Sequence, residues 1–369
     1  MSNFRYKQVG KFDFENRFKA IFNGNTGFYM RSGILERDEH GKLRDTNIDP
    51  FMASFPELID IGIMERCICS NKCNVDCYQR ACDRTGENMK LEDFKWIIEQ
   101  CKERVFQVAL GGAGDPDTHE NFDDILKVCA NANIVPNFTT SGIALTEEKV
   151  KLCKEYCGAV AVSEHFSDYT DKAVEMLVSS GVKTNVHYVL SKNTISKAIN
   201  ILNGEDKYRN GINAIVFLIY KPVGLGKEEN VLHINNSDVK DFFNALDNRK
   251  CNFKVGFDSC SCSGLLNFAH SYSKKLIDFC EGARFSMYIS ADMQAMPCSF
   301  ANQNKDWHIT LSNNCNIKEA WNSEIFERFR NSLRFNCKDC KDRQYCGGGC
   351  PLIKSVSLCD RQERSTYDK

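Results

Sequence analysis

From Leu58 to about Gly226 the sequence alternates short β-branched or apolar runs with amphipathic segments. The runs are "LIDIGIM", "FQVAL", "IVPNFTT", "GAVAVS", "VKTNVHYVL" and "INAIVFLIY". Between them, "LEDFKWIIEQC" sets Phe94, Ile97, Ile98 and Cys101 at helical spacing, and "ENFDDILKVC" repeats the pattern with Phe122, Ile125, Leu126 and Cys129. Six strand and helix alternations predict an α/β fold whose parallel sheet curves into a full or partial barrel, with chemistry at the carboxyl ends of the strands. Before Leu58, "FKAIFNGNTGFYMRSGILERDEHGKLRD" reads as hairpin material turning at "NGNTG", an edge extension of the sheet. After Leu225 a polar stretch leads to a helix over Asp238 to Leu246 and then to short loops crowded with Cys, Gly and Asn. The expected organisation is therefore an N-terminal extension over 1–57, a barrel over 58–235, and a linker helix with a cysteine-rich domain over 236–369.

The 369 residues carry a formal net charge of −1, so no long-range positive field marks a nucleic-acid or anionic-membrane binder. The N-terminus does not resemble a signal peptide, and no apolar stretch reaches the ~18 residues of a membrane span. The expectation is a soluble cytoplasmic protein with neither nucleic acid nor membrane as partner. In a reducing compartment, 20 cysteines cannot be kept as disulfides, which points to metal or iron–sulfur ligation. Some are core: Cys101, Cys129, Cys153 and Cys157 lie on the apolar faces of predicted helices.

The loop "MERCICSNKCNVDCYQ" follows the first predicted strand. It offers C-x5-C-x3-C through Cys67, Cys73 and Cys77, or C-x3-C-x3-C if Cys69 replaces Cys67. A structural zinc site needs four protein ligands, and no second pair lies nearby. Three thiolates on one loop suit a [4Fe–4S] cluster with one iron open to a cofactor. Cys82 is expected to be a bystander.

At these residues the chain resembles the radical S-adenosylmethionine (radical SAM) enzymes. In that family the three-cysteine loop follows the first strand of a partial (β/α)6, TIM-like barrel. The usual spacing is C-x3-C-x2-C; here the last gap is one residue longer, and the aromatic that normally precedes the third cysteine follows it as Tyr78. The choice between Cys67 and Cys69 stays open. "LGGAGDP" resembles the family's Gly-Gly-Glu segment at the second strand end, which implies that Gly111, Gly112, Ala113 and Gly114 hold the methionyl amine. Ala113 stands where the glutamate is expected, so Asp115 or backbone carbonyls take its part. "TTSG", with Thr140 and Ser141, ends the third strand, and Ser163 ends the fourth, where the resemblance implies a contact to ribose.

In the C-terminal segment, "CKDCKDRQYCGGGC" is C-x2-C-x5-C-x3-C, built from Cys337, Cys340, Cys346 and Cys350, with Cys359 further on and Cys280 and Cys298 upstream. Taken alone, the first four also suit a zinc ribbon. The seven together resemble the SPASM extension, which implies two auxiliary [4Fe–4S] clusters. By resemblance Cys337, Cys340, Cys346 and Cys359 ligate the distal one, and Cys350 joins Cys280 and Cys298 at the proximal one. That site is one ligand short unless "FDSCSC" supplies Cys260 or Cys262; otherwise an open iron faces the barrel mouth. The family's glycine five residues before the second cysteine is Met293 here, so a changed turn is expected.

The resemblance implies an enzyme that cleaves S-adenosylmethionine reductively to a 5′-deoxyadenosyl radical and modifies a peptide, through a thioether or carbon–carbon crosslink. Implied partners are a peptide or protein substrate, a separate leader-binding protein or the N-terminal hairpin in that role, and an electron donor such as flavodoxin or ferredoxin. A sulfatase-maturing activity is the alternative, against which Ser299 counts, because that branch places an aspartate after the cysteine corresponding to Cys298. An electron-transfer protein without catalysis is the alternative of another class. Glu164, Asp168 and Lys221 are further candidates for substrate contact; His119, His165 and His187 lie near strand ends without an assigned role.

Overall fold

The computed structural model describes residues 4–68, 72–73, 75–205, 208–335, 337 and 340–359. Strands β1 (Val9–Asp13), β2 (Phe18–Asn23) and β3 (Phe28–Arg31) pair antiparallel in the order β1-β2-β3. The predicted turn joins β2 to β3: the Asn23 carboxamide oxygen accepts from the amides of Asn25 and Thr26, and Gly27 takes the positive φ of 75° that closes the turn. A two-stranded hairpin of β4 (Leu35–Arg37) and β5 (Leu43–Asp45) follows. The N-terminal strands form a sheet of their own, contrary to the expected edge extension. Tyr6, Phe18 and Phe22 bury themselves against Ala53, Phe106, Val135 and Phe285, at the amino ends of the barrel strands, so the sheet covers the barrel floor.

The six predicted strands all form: β6 (Leu58–Met64), β7 (Gln107–Gly112), β8 (Val135–Thr140), β9 (Val160–Ser163), β10 (Thr184–Leu190) and β11 (Ala214–Ile219). They run parallel in sequence order. Helices α1 (Leu91–Cys101), α2 (Phe122–Asn131), α3 (Glu147–Tyr156), α4 (Asp168–Ser179) and α5 (Ile195–Asn203) cross between them. Cys101, Cys129, Cys153 and Cys157 are buried in the core. Period-two alternation divides each strand between the helical layer and the lumen. Ile59, Ile61 and Ile63 are fully buried among the helices' apolar faces, while Asp60 and Gly62 take the other face. The lumen is polar. Asn137 donates to Gln107 (3.1 Å), Asn213 donates to Asn185 (2.7 Å), and the Thr139 hydroxyl meets His187 Nδ1 at 3.3 Å across β9.

Helix α6 (Ser237–Asp247) follows, capped by the Asn236 side chain, and leads to β12 (Lys254–Phe257), which adds in parallel to β11. After α7 (Cys262–Phe268), β13 (Ser286–Ile289) pairs in parallel with the opposite edge at β6, and β14 (Gln294–Met296) and β15 (Ile309–Thr310) continue antiparallel. The result is a ten-stranded sheet. The cysteine-rich segment supplies strands to both edges of the barrel sheet and so is not a separate layer behind it. Trp321, fully buried, donates its indole N–H to Ala53 O at 3.0 Å, joining this segment to the start of the barrel.

Candidate functional site

The parallel strands all end on one side, and there the cysteine loop meets the glycine segment. Ala113 N donates to Met64 O at 2.7 Å. Gly112 has φ 116°, and a Cβ there would lie 2.3 Å from Met64 O. A Cβ on Gly114 would lie 2.4 Å from Arg66 O and 3.3 Å from Cys67 Cα. Only glycine lets β7 come so close to the start of the loop. A Cβ on Gly111 would meet nothing, so its backbone faces open space. Burial raises the Cys73 thiol above the ordinary cysteine range, and the nearby Cys77 and Asp115 add to the rise. The third cysteine is gripped from the far side of the mouth: Leu225 N, past β11, donates to Cys77 O at 3.0 Å.

Asp115 is committed to the next strand. Its carboxylate accepts from Ser141 N (2.8 Å) and from the Ser141 hydroxyl (2.5 Å), which locks the ends of β7 and β8 together. Gly142 N in turn donates to the hydroxyl of the fully buried Thr140 at 3.0 Å. Beside them lies Asp117, 0% exposed, without a well-aligned hydrogen bond to either carboxylate oxygen, near the Thr140 hydroxyl and with the Lys149 ammonium 3.9 Å away. Its acidity is weakened to a pKa of about 6, first by burial and then by Asp115, with Thr140 and Lys149 opposing the shift.

The C-terminal thiols fall into two groups. Cys260 hydrogen-bonds Cys350, its charge is felt at both Cys280 and Cys298, and the charge of Cys298 is felt at Cys280. Burial pushes Cys298 up to about 12 and raises Cys280 as well. Cys262 turns the other way, donating to Tyr345 O (3.0 Å) and hydrogen-bonding Cys346. Cys346 is pulled down to about 7 by that bond and by the amides of Gly348 and Gly349; burial opposes the shift. Those glycines and Gly347 all have positive φ, so the Gly-Gly-Gly run turns its amides toward one sulfur. Leu358 N donates to Ser263 Oγ at 2.9 Å, and Asn267 donates to Leu358 O at 2.7 Å, which brings the chain at Cys359 to the first turn of α7. Among the described residues no cysteine is in a disulfide, and no three Cys, His, Asp or Glu side chains close on one point as a single metal ion requires.

Residues 280–341 match the family model of SPASM, an iron–sulfur cluster-binding domain. Among solved structures, SuiB of Streptococcus suis bound to precursor peptide SuiA is 16% identical, with TM-score 0.71 over 98% of this chain and 100% of that one. SuiB bound to S-adenosylmethionine gives 0.70 over 96% and 100%. The structure of anSMEcpe with bound AdoMet is 17% identical, with TM-score 0.61 over 85% of this chain and 92% of that one. No curated protein matches the sequence. The chain shares the fold of these structures, a partial parallel barrel, and its residues 280–341 match the SPASM iron–sulfur cluster-binding domain.

Within the barrel, Cys67, Cys73, Cys77, Gly111 to Asp115, Thr140 and Ser141 gather at one end, while Cys69 lies outside the described residues. Ser163 ends β9 on the same side. Tyr78 packs at a tilt of 37° against Phe300, within the SPASM match, with ring centroids 4.8 Å apart. Cys82 is exposed on a 3-10 turn. Three expectations change. Asp115 is not a free acid, because Ser141 occupies both its oxygens. Glu164 is not available for substrate contact: its carboxylate is buried and held by the Tyr208 hydroxyl and by Arg209, whose Nη2 lies 2.8 Å from both oxygens. Met293 keeps the left-handed φ, 63°, that a glycine would take, so the turn survives the substitution. His119 bonds to Met89 O and Asn121 N, and His165 to Tyr169, both as structural contacts. His187 points into the lumen, where burial lowers its pKa to about 4 and keeps it neutral. Sequence reasoning missed two acids. Asp60 is an acid inside an apolar strand, which alternation assigns to the lumen; burial raises its pKa to about 7. Asp117, two residues past Asp115, carried no signal beyond its proximity to the glycine segment.

Proposed function

We propose that the protein is an enzyme that binds [4Fe–4S] clusters and S-adenosylmethionine and modifies a peptide, with Cys67, Cys73 and Cys77 as ligands of the cofactor-binding cluster. The contact of Gly114 with Arg66 and Cys67 carries this reading, because it sets a glycine-rich strand end directly against the thiol loop. Cys260, Cys280, Cys298 and Cys350 would hold a proximal auxiliary cluster, and Cys337, Cys340, Cys346 and Cys359 a distal one. With Cys260 in place, the proximal set has its four thiols and no iron is reserved for substrate.

Held by Cys67, Cys73 and Cys77, a [4Fe–4S] cluster would supply one electron for reductive cleavage of S-adenosylmethionine, and the cofactor would supply the capacity to abstract a hydrogen atom. The chain's own residues do the positioning. Gly111 offers bare backbone at the strand end, Gly112 packs that end against Met64, and Asp115 fixes Ser141 so that the β7 and β8 ends present one rigid edge. The polar lumen, with Asp60, Asn137, Thr139 and His187, supplies hydrogen bonds to a peptide backbone, and the N-terminal sheet closes the floor against water. SuiB was crystallised with a precursor peptide and anSMEcpe with the Cp18Cys peptide, which supports a peptide as the substrate class. A separate leader-binding protein and a flavodoxin- or ferredoxin-type donor complete the proposal. No helix among the described residues is long and apolar enough to cross a membrane.

Anaerobically reconstituted protein should hold about twelve irons, by a count of three four-iron clusters. It should release 5′-deoxyadenosine from S-adenosylmethionine and dithionite. Cys73→Ala with Cys77→Ala should abolish that release and leave about eight irons. Stoichiometric zinc, or cleavage that persists in the double variant, would refute the proposal.

A further inference from the structure

The end of β11 carries a buried ion pair that the mechanism above does not use. Lys221 has 4% of its side chain exposed. Its ammonium donates to Asp258 Oδ2 (2.8 Å) and to Ile219 O (3.0 Å), and it sits 4.6 Å from the centre of the Phe300 ring. Asp258 also accepts from the Ser261 hydroxyl at 2.6 Å. These contacts bracket the proximal thiols from two sides, since Asp258 lies two residues before Cys260 and Phe300 two residues after Cys298. The Lys221 charge is felt at Cys260 and Cys298, and Cys350 is felt at Lys221. The segment that follows, through Leu225, holds Cys77 of the other thiol loop.

A buried pair is a poor source of net stability, because desolvating two charges offsets their attraction. It does fix charge at a chosen place in a medium of low effective dielectric, where a charge acts far more strongly than in water. Reducing an iron–sulfur cluster adds one negative charge, so a fixed ammonium nearby favours the reduced state and a fixed carboxylate opposes it.

We propose that Lys221 and Asp258 form an electrostatic clamp that sets the reduction potential of the proximal auxiliary cluster, with Lys221 raising it and Asp258 limiting the rise. The clamp rests on the reading of Cys260, Cys280, Cys298 and Cys350 as that cluster's ligands. Neither residue touches iron; both are positioning residues.

The test is a redox titration followed by electron paramagnetic resonance, in the Cys73→Ala, Cys77→Ala background, where only the auxiliary clusters remain. Lys221→Met should shift one midpoint to more negative potential by at least tenfold in the redox equilibrium, ~59 mV for one electron. Lys221→Arg should restore it. Asp258→Asn should shift the same midpoint in the positive direction, and the neutral pair Lys221→Met with Asp258→Asn should return it near the parent value. A merely structural role would move both single variants alike, or move neither, and either pattern overturns the clamp. If Lys221→Met fails to retain iron, the sign of the Asp258→Asn shift decides the question. A parent protein with no iron and sulfide would reject the cluster reading itself, whereas clusters that load normally with unmoved midpoints would reject only the clamp.

Discussion

Asp117 shows how a single buried acid makes stability depend on pH. Its pKa rises from 3.8 to about 6 on folding, so the native state binds the proton more tightly than the unfolded chain does. The protonated form therefore suits the fold, and stability falls as pH rises from the unfolded value through the folded one. The shift corresponds to about 3 kcal/mol, lost in full above the folded value. Asp117→Asn should remove that penalty, giving a more stable protein at about pH 8 and little difference at about pH 4, by thermal or denaturant unfolding of the two proteins. Equal stability at both would show that Asp117 is better solvated than its burial implies. The thiols were easier to locate from sequence than this acid, because Cys280, Cys298, Cys337 and Cys350 stand at diagnostic spacing. Cys260 and Cys262 illustrate the limit. Separated by the single residue Ser261, they face different groups, and only the 3-10 turn over Ser259–Ser261 leading into α7 decides which thiol faces Cys350.

At the scale of elements, the site depends on how closely β7 approaches the loop after β6. Gly114 and Gly111 lie three residues apart in one segment yet differ in what a methyl group would meet. At Gly114 it would strike Arg66 O, a backbone atom that cannot swing aside, so the loop would have to move with Cys67. Gly114→Ala should therefore lose about four irons of about twelve, together with cofactor cleavage. Gly111→Ala should keep its irons while weakening S-adenosylmethionine binding, since its added carbon occupies space outside the protein. Iron and sulfide analysis with equilibrium binding separates the two, and a Gly114→Ala protein with its full iron content would contradict the argument. The six barrel strands were legible because each apolar run is bounded by an amphipathic helix, so local pattern and global topology agree. The parallel strands β12 and β13 were not. "KVGF" and "SMYI" are four-residue runs among cysteine-rich loops, and only pairing with β11 and β6 makes strands of them.

For the whole molecule, the N-terminal sheet answers a question the sequence left between two roles, an accessory grip for a peptide and a part of the barrel. Its inner face is apolar and spent: Phe18 and Phe22 are almost fully buried, as are Phe106 and Phe285 beneath them. Polar ties surround that contact. The Tyr29 hydroxyl donates to Glu57 at 2.5 Å, Arg31 lies 3.5 Å from the centre of the Phe285 ring and bonds Asp278 at 3.0 Å, and the Tyr6 hydroxyl donates to Tyr156 O at 2.6 Å. Burial of an aromatic side chain contributes ~1.5–3 kcal/mol, so four such rings rival the ~5–15 kcal/mol that keeps an ordinary domain folded. An accessory module tethered by a linker would leave the barrel intact when removed. A floor would not, because its loss would expose Phe106, Val135 and Phe285 and leave Glu57 without Tyr29 and Arg31. A chain begun at Asp49 should accordingly be insoluble or melt without cooperativity, and should fail to retain iron. Soluble truncated protein with a sharp thermal transition would instead assign the sheet to an accessory role, and the barrel would then have to close its floor by other means.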